Sequence, residues 1–352
     1  MHEKAKSVTV IGAGVTGLLT AINAKANEAE VTILERSSFP NGSSVRIAGV
    51  LHSGARFAGF DDELSARCFN DWRWWMSSLV SINKKVGGYF IKIKGEADEY
   101  FEGWISSLEK IKIPHSEINL KPYGDLNLEN LDRIYWTPEI QVASKEVVKA
   151  LINYAQKIGV NIIYDSEILQ AVKEGDEYAL LVKSKDKQFK VKGKVVLAAG
   201  SGLPELARMF ELNLKYTLFQ GSHILINVEL PAITEIIHKP ATYDLFIPAE
   251  LGTYLAPTLV PYNNLRVTED ELKGIANVQR LFYRSVEALG ALTASRISIS
   301  EPSSQLKGGD YVYSNDGLIV LWSNNFACAP SVARKAGEIL GYSEDGLRKV
   351  TL

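Results

Sequence analysis

The 352-residue sequence has little of the chemistry that several kinds of site require. It contains two cysteines, Cys68 and Cys328, too few to bind an iron–sulfur cluster or to complete a zinc site by themselves. A disulfide between them is compatible with the sequence, but the intracellular location predicted below argues against it. We therefore expect both thiols to pack in the core, and we predict no metal site.

Charge of one sign and long apolar runs are also scarce. The formal net charge is −2 and no block of Lys and Arg occurs, which argues against nucleic acid and against an anionic bilayer as ligands. The run GLIVLW at 317–322 has strand length only, so no membrane-spanning helix is predicted. Lys4 and Lys6 before an apolar stretch imitate a secretory signal, but the glycines of that stretch indicate a different structure. We expect a cytoplasmic protein.

The pattern of apolar residues predicts a β-α-β unit at the N-terminus. SVTVIGAG is typical of a buried strand that enters a glycine turn, VTGLLTAINAKA has helical composition, and EVTILER is a second buried strand. Further helices are predicted at 61–79, capped by Asp61 or Asp62, at 144–159 and at 268–289. Residues 86–140 are predicted to form strands and turns with little helix.

The stretch VIGAGVTG carries the G-x-G-x-x-G pattern at Gly12, Gly14 and Gly17, between the strand and the helix. The first glycine permits the tight turn, the second lets a pyrophosphate approach the backbone, and the third lets the helix pack closely on the strand. Glu35 ends the second strand at close to the spacing of about 20 residues expected for a carboxylate that binds a ribose hydroxyl. Together these features predict a dinucleotide site; a glycine turn without a ligand is the alternative.

Both NAD and FAD bind such a motif, and three features favour FAD. They are the N-terminal position of the motif, the strand KVVLAAG before a helix start at residue 200, and a final strand–turn–helix whose helix N-terminus suits the electron-rich edge of a reduced flavin. The predicted fold class is α/β and α+β, with a Rossmann-like FAD-binding domain interleaved with a mixed-sheet substrate domain. The FAD-binding domain is assigned to 1–85, 145–220 and 296–352, and the substrate domain to 86–144 and 221–295.

Two segments resemble FAD-dependent glycerol-3-phosphate dehydrogenases of the anaerobic large-subunit type, within the D-amino-acid-oxidase-like flavoprotein superfamily. RIAGVLHSGARFAGFDDELSARC at 46–68 is similar to the family's LLHSGARYA and ESAREC runs, and QGSHILI at 220–226 is similar to KGSHIVV of the aerobic members. The likeness covers most of residues 7–340. It implies a D-amino-acid-oxidase/glutathione-reductase-like fold and oxidation of sn-glycerol 3-phosphate to dihydroxyacetone phosphate.

The resemblance also implies roles for individual residues. Arg56 and Arg296 would bind the substrate phosphate, since guanidinium groups grip two oxygens of a phosphate at once. His223 would take the proton of the C2 hydroxyl while hydride leaves C2 for flavin N5. The predicted FAD-binding residues are Gly12, Ala13, Gly14, Thr16, Gly17, Glu35, Arg36, Ser43, Ser44, Gly49, Leu51, His52, Ile168, Ala199, Gly200, Asn325, Phe326 and Ala327.

Departures from the family pattern keep alternatives open. Where the family has GGKLTTYR this sequence has SNNFACAPSVAR, so Asn325 replaces a lysine and Pro330 an arginine. FACAPSVA is similar to the NAPSPAA of L-2-hydroxyglutarate dehydrogenases, which implies a 2-hydroxyacid as the alternative substrate. A flavin-binding subunit without turnover of its own is the third hypothesis.

The route of the electrons also depends on the resemblance. The sequence stops at Leu352, without the cysteine-rich C-terminal domain of anaerobic large subunits. Electrons would pass to quinone directly or through a membrane-anchor or electron-transfer partner, with the protein peripheral on the inner face of the cell membrane. A homodimer is compatible with the sequence.

Overall fold

The structure, a computed structural model, describes residues 4–46, 49–96, 98–119, 124–239, 242–256, 260–261, 266–299, 305–306, 310–323, 325–343 and 345–352. The helices of these ranges are α1 Val15–Ala26, α2 Ser43–Arg46, α3 Asp62–Ser78, α4 Asp98–Ile111, α5 Ser144–Lys157, α6 Leu203–Met209, α7 Glu269–Val278 and α8 Ala329–Ile339.

The strands, in chain order, are β1 Ser7–Ile11, β2 Glu30–Leu34, β3 Val50–Leu51, β4 Lys84–Ile93, β5 Ser116–Ile118, β6 Leu131–Val142, β7 Asn161–Ile163, β8 Ser166–Glu174, β9 Glu177–Ser184, β10 Lys187–Leu197, β11 Tyr216–Ile226, β12 Ile233–Lys239, β13 Thr242–Ala249, β14 Gly252–Ala256, β15 Val260–Pro261, β16 Ala288–Ile299, β17 Gln305–Leu306, β18 Asp310–Asn315 and β19 Leu318–Trp322. They form two sheets, and among the described residues no helix is both long and apolar enough to cross a membrane.

The first sheet has a parallel centre in the order β19-β10-β1-β2-β7, extended antiparallel by β17, β18 and the β8–β9 pair. Its central strands are apolar on both faces, as a parallel sheet covered on both sides requires. Helices α1, α5 and α8 cover one face, while β9 and α6 contribute to the apolar cluster on the other. Asn23 of α1 donates to the carbonyl of Ala333 in α8, which joins the N-terminal and C-terminal helices of this half.

The second sheet follows the order β15-β11-β14-β13-β12-β4-β6-β3, with β16 paired to β11 and β5 to β6. Helix α4 packs its aromatic face, Phe101 and Trp104, against Phe90 and Tyr135 of this sheet. The opposite face packs against α7 and the turn after it. The two sheets meet where the carboxyl ends of β1, β2 and β10 face β3 and β11, and the large cavity lies there.

The predicted fold class is confirmed. The main differences from the predicted elements concern the helices that pack on the second sheet. Residues 98–111 form α4 where strands and turns were predicted. The predicted helix 268–289 is wrong beyond Val278, because residues 288–299 enter β16. Its start is as the sequence indicates, since Thr268 and Glu271 form a reciprocal capping box.

The predicted domain boundaries after residues 85, 220 and 295 fall inside β4, β11 and β16. Those boundaries therefore cut strands of the second sheet that the structure keeps whole. The short strand β3 also pairs with the second sheet, although its residues were assigned to the first domain.

Candidate functional site

At the glycine turn after β1, the backbone of the turn lies close to the start of α1 and to the backbone that follows β10. Gly12 has a φ of +104°, and a Cβ there would lie 2.7 Å from the carbonyl oxygen of Ala198. A Cβ on Gly17 would lie 2.1 Å from the carbonyl oxygen of Gly12. By contrast, a Cβ on Gly14 would meet only the Ser44 hydroxyl, at 3.2 Å, on the side that opens into the cavity. Gly12 and Gly17 thus serve the packing of α1, while Gly14 leaves room for a ligand.

Backbone N–H groups at the start of α1 point at oxygen acceptors along the cavity. The Ala13 N–H donates to Glu35 Oε2 at 2.9 Å, and the Val15 N–H donates to the Ser44 hydroxyl at 3.1 Å. Glu35 Oε1 also accepts from the Ser37 N–H at 3.0 Å. Donors aimed at oxygen, a positive helix end and a carboxylate one strand away are the features that hold the phosphates and ribose of a dinucleotide.

The cavity is about 960 Å³ in volume, within the range of cofactor sites, and runs from the glycine turn to the second sheet. The predicted residues that line it are Gly12, Gly14, Thr16, Glu35, Arg36, Ser43, Ser44, Gly49, His52, Arg56, Ile168, Ala199, Gly200, His223, Asn325 and Phe326. Ala13, Gly17, Leu51 and Ala327 belong to the same segments but do not form its wall. The backbone of Arg296 pairs with Phe219, while its side chain, like all of residues 47–48, lies outside the described part of the chain.

Helix α3 holds the segment Asn325–Phe326 in place at one end of the cavity. The indole N–H of Trp75 donates to the carbonyl of Ala327 at 2.9 Å, and the Trp75 and Phe326 rings stack with centroids 5.6 Å apart. Asp71, also on α3, accepts from the Ser331 N–H at 3.1 Å and so caps α8 in place of Cys328, which makes no side-chain cap. Burial raises the pKa of Asp71 to about 6, against the hydrogen bond from Ser331 and the charge of Arg334.

His223 reaches the cavity through the alternation of strand β11. Gly221 and His223 face the cavity, whereas Gln220 and Ser222 face the other way and bind Glu271 of α7. The imidazole is 7% exposed and so lies in the wall, not in solvent. An apolar surface contributed by β13 and β14 (Leu245, Ile247 and Ala256) lies on the same side of the sheet.

Behind the cavity wall, His52 and Arg56 meet two fully buried carboxylates. His52 Nδ1 lies 3.1 Å from Glu139 Oε2 and 3.3 Å from Glu235 Oε1, and Arg56 Nη1 donates to Glu235 Oε2 at 3.0 Å. The backbone and side chain of Ser53 both donate to Glu139. Glu139 and Glu235 have no exposed surface and do not line the cavity, whereas His52 and Arg56 do line it. The two basic side chains therefore lie between the cavity and the carboxylates.

The charges of this group change the pKa values of its members. Burial alone lowers the pKa of His52, but its contacts with Glu139 and Glu235 and their charges outweigh burial and raise the pKa to about 9. Burial raises the pKa of Glu235, but the charge of Arg56 and the contacts with His52 reverse this and hold it below its ordinary value. His52, Glu139 and Glu235 lie close enough to form a set of metal ligands. Arg56 donates to Glu235 Oε2, while Ser53 donates to Glu139 and a proton on Nδ1 can bind Glu139 Oε2. Glu235 Oε1 lies 3.3 Å from the same ring nitrogen, in ionic contact without a hydrogen bond.

The raised pKa of His52 predicts that stability falls at alkaline pH. His52 has a pKa of 6.5 in the unfolded chain and about 9 in the folded protein. Its contribution to the free energy of unfolding is therefore complete below pH 6.5 and is lost as the pH rises through 9. The shift corresponds to about 3 kcal/mol of unfolding free energy. Urea unfolding of the wild type at pH 6.5 and above pH 9 measures it, and His52→Gln should show a smaller loss over the same interval. An equal loss in both proteins would assign it to other groups.

Glu139 and Glu235 are two buried charged residues of the site that the sequence did not lead us to predict. A signal was present, because each is a carboxylate in the middle of an apolar strand, in YWTPEIQV and AITEIIHK. A charge in such a position is almost always paired. The structure also changes the interpretation of His52, which was predicted to pack against the flavin and proves to be bound to two carboxylates.

Comparisons with known proteins agree with this geometry. The family model described as FAD dependent oxidoreductase matches residues 7–311. Subunit A1 of the anaerobic glycerol-3-phosphate dehydrogenase of Haloferax volcanii is 26% identical over 178 residues, 50% of this chain and 30% of the relative. The chain covers 30% to 52% of the length of the curated relatives that it matches, all of them anaerobic glycerol-3-phosphate dehydrogenase subunits A or A1.

Two solved structures show the same fold over nearly the whole chain. L-alpha-glycerophosphate oxidase from Mycoplasma pneumoniae, solved with FAD bound, superposes with a TM-score of 0.79 at 19% identity, covering 97% of this chain and 96% of its own. L-proline dehydrogenase from P. horikoshii superposes with a TM-score of 0.77 at 16% identity, covering 99% and 97%. At these identities the likeness shows a shared fold, and the function has to be argued from the side chains of the cavity.

Proposed function

Because the chain belongs to the FAD dependent oxidoreductase family, we propose that it oxidises sn-glycerol 3-phosphate to dihydroxyacetone phosphate. The observation that carries the proposal is that Arg56 and His223 line the same cavity as the glycine turn. An anion-binding guanidinium and an imidazole are the two groups that the dehydrogenation of a phosphorylated alcohol needs beside its cofactor. The match to the glycerol-3-phosphate dehydrogenase subunits, at 22% to 26% identity, supports this substrate.

FAD is the cofactor of the family, and the residues present fit it. The turn at Gly12–Gly17 and the start of α1 would hold its phosphates, Glu35 a ribose, and Asn325 and Phe326 the edge of its ring system. When bound, FAD accepts the hydride that leaves the carbinol carbon. The cavity lies between the two sheets, which would shield one side of the reacting carbon from water.

The residues of the chain bind the substrate and move its proton. Arg56 lines the cavity and donates from Nη1 to Glu235. A guanidinium carries five N–H donors, so the same group can bind an oxygen of the substrate anion while it is paired with a carboxylate. His223 accepts the proton of the C2 hydroxyl, because an alcohol donates hydride readily only as that proton leaves. Arg296 is proposed as the second phosphate ligand. It stays a proposal from the resemblance, since its side chain is outside the described residues.

A 2-hydroxyacid such as L-2-hydroxyglutarate is the second candidate. Two observations favour it: Asn325 lines the cavity where the dehydrogenase pattern has a lysine, and Glu235 already neutralises part of the charge of Arg56. Both reduce the positive charge available to a phosphate dianion and suit a singly charged carboxylate better. The proton transfer to His223 would be the same.

Anaerobic addition of each substrate to the FAD-loaded protein tests the proposal. We expect sn-glycerol 3-phosphate to bleach the visible absorbance of the flavin and L-2-hydroxyglutarate to leave it oxidised. L-Proline serves as the amine control. Bleaching by hydroxyglutarate alone would transfer the function to a 2-hydroxyacid, and bleaching by no alcohol would favour a flavin-binding subunit without turnover.

The electron acceptor is proposed on the same basis. We infer that the reduced flavin passes electrons to quinone, directly or through a partner protein at the inner face of the cell membrane. The names of the relatives as subunits support a partner. Co-purification of the tagged full chain from membranes, compared with its recovery from the soluble fraction, tests this location.

A further inference from the structure

The Nδ1 atom of His52 lies between two carboxylate oxygens, with a hydrogen bond to one and an ionic contact with the other. Glu139 Oε2 lies 3.1 Å away and Glu235 Oε1 3.3 Å away. An ionised carboxylate can only accept hydrogen bonds, so a ring nitrogen between two of them must carry a proton. The tautomer is thereby fixed, and Nε2 is the ring nitrogen left to interact with other groups. His52 itself lines the cavity, 8% exposed.

Charge balance indicates that the ring is also cationic. Charged groups facing His52 come from three elements: Glu139 on β6, Glu235 on β12 and Arg56 on the turn after β3, while the ring of Phe57 packs edge-on at 6.3 Å. Two carboxylates with no exposed surface and one guanidinium leave a net negative charge in a buried place, which is costly unless a second cation is present. Among the described residues, His52 is the titratable group that can supply it.

The two carboxylates have different partners. Glu235 is bound to Arg56 and has that cation whatever the state of His52. Glu139 is fixed by the backbone and hydroxyl of Ser53, and the cationic group that contacts it within the described ranges is His52. Removing the charge of Glu139 should therefore affect the proton of His52 more directly than any change at Glu235.

We propose that Glu139 is a positioning residue that keeps His52 as an imidazolium facing the cavity, and that the affinity of the site for an anion depends on this proton. The inference rests on the proposed function, since it deepens how an anionic substrate is held: Arg56 and His52 together form the positive wall, with their counter-charges behind them. The anion, a phosphate or a carboxylate, then meets two cations at neutral pH and one at alkaline pH.

Two measurements on the FAD-loaded protein test this from about pH 6 to about pH 10. The first is the titration of the ring nitrogens in ¹⁵N-histidine-labelled protein, with His52 assigned from His52→Gln. The second is the dissociation constant of inorganic sulfate, followed through the flavin spectrum. Sulfate is chosen because it remains a dianion over this pH range. In the wild type we expect His52 to titrate near pH 9 and the affinity for sulfate to fall about tenfold or more above that pH.

Glu139→Gln keeps the size of the side chain and an oxygen for Ser53 but removes the charge. We expect the His52 titration to move down by at least about one pH unit, and sulfate to bind about tenfold more weakly at about pH 8. Glu146→Gln removes an exposed carboxylate of α5, outside the cavity wall, and should change neither quantity. In a His52→Gln background, Glu139→Gln should change sulfate affinity less than about twofold, because its effect passes through His52.

Several outcomes would overturn the inference. The first is a His52 side chain that titrates at or below its ordinary pKa of 6.5 in the wild type. The second is a His52 titration that Glu139→Gln leaves unchanged. The third is an equal loss of sulfate affinity on Glu139→Gln in the wild-type and His52→Gln backgrounds. A wild type that binds no sulfate would remove the anion half of the proposal. The ring titration needs no substrate, so failure of glycerol 3-phosphate to bleach the flavin refutes the proposed function without touching the state of His52.

Discussion

His223→Ala is expected to slow reduction of the bound flavin by substrate about 10²-fold or more while FAD stays bound. The reason is that His223 lies on the cavity face of β11 in the second sheet, whereas the glycine turn and α1 that would hold the dinucleotide follow β1 of the first sheet. Losing the imidazole removes the acceptor of the hydroxyl proton but no contact of the phosphates. The loss should therefore appear in the rate at saturating substrate more than in the concentration needed for saturation.

Anaerobic stopped-flow reduction of the flavin measures this rate, and the ratio of visible to ultraviolet absorbance measures FAD content. His115→Ala is the matched control, because His115 lies outside the cavity wall and contacts the carbonyl of Ile113. Added imidazole should restore part of the rate to His223→Ala and none to the control. A variant that reduces its flavin at the wild-type rate would remove the assignment of His223 as the base.

Gly17→Ala is expected to yield a protein largely without FAD. Its Cβ would lie 2.1 Å from the carbonyl oxygen of Gly12, and that atom is backbone and cannot rotate away. The start of α1 must then move from β1, which displaces the N–H groups that would hold the phosphates. We expect FAD occupancy to fall more than about tenfold, and stability to fall by about 1–3 kcal/mol, as is typical of overpacking.

The matched control is Gly103→Ala, in helix α4 and outside the cavity wall. A Cβ there meets nothing within 4 Å, so occupancy and stability should stay close to the wild type. Absorbance spectra after dialysis against FAD, together with urea unfolding, measure both quantities. Full occupancy in Gly17→Ala would show that the helix can retreat without loss of the site, contrary to the close packing described for this turn.

The part of the fold that sequence predicts well is the part encoded locally. The β-α-β unit up to Glu35 is a strand, a turn and a helix in immediate succession, and its pairing follows from the right-handed crossover rule. Helix α4 was missed although Phe101, Trp104 and Leu108 recur at helical spacing. Gly103 and the aromatic residues in DEYFEGWISSLEKI suggest strand and turn, and the contacts of this helix with Phe90 and Tyr135 outweigh that local preference.

The group around His52 shows why the candidate site could be predicted only in part. The motif LHSGAR places His52 and Arg56 together, but their partner Glu139 is 86 positions further along the chain from Ser53, and Glu235 is 179 from Arg56. No spacing rule connects residues on separate strands of one sheet. Their proximity depends on the spatial order of the neighbouring strands β3, β6, β4 and β12 in the sheet. The protonation state of His52 depends on these remote residues and cannot be obtained from the motif.

The interleaving of the chain has a consequence for biosynthesis. The cavity takes its walls from segments that run from Ile11 to Phe326, and α8 packs on α1. The first β-α-β unit leaves the ribosome long before strand β19 and helix α8 are synthesised. Until then the apolar face of α1 that packs on α8 is exposed in the nascent chain. The cavity is complete only after the residues up to Phe326 have been synthesised, so free FAD should speed the last stage of folding of this unit rather than the first.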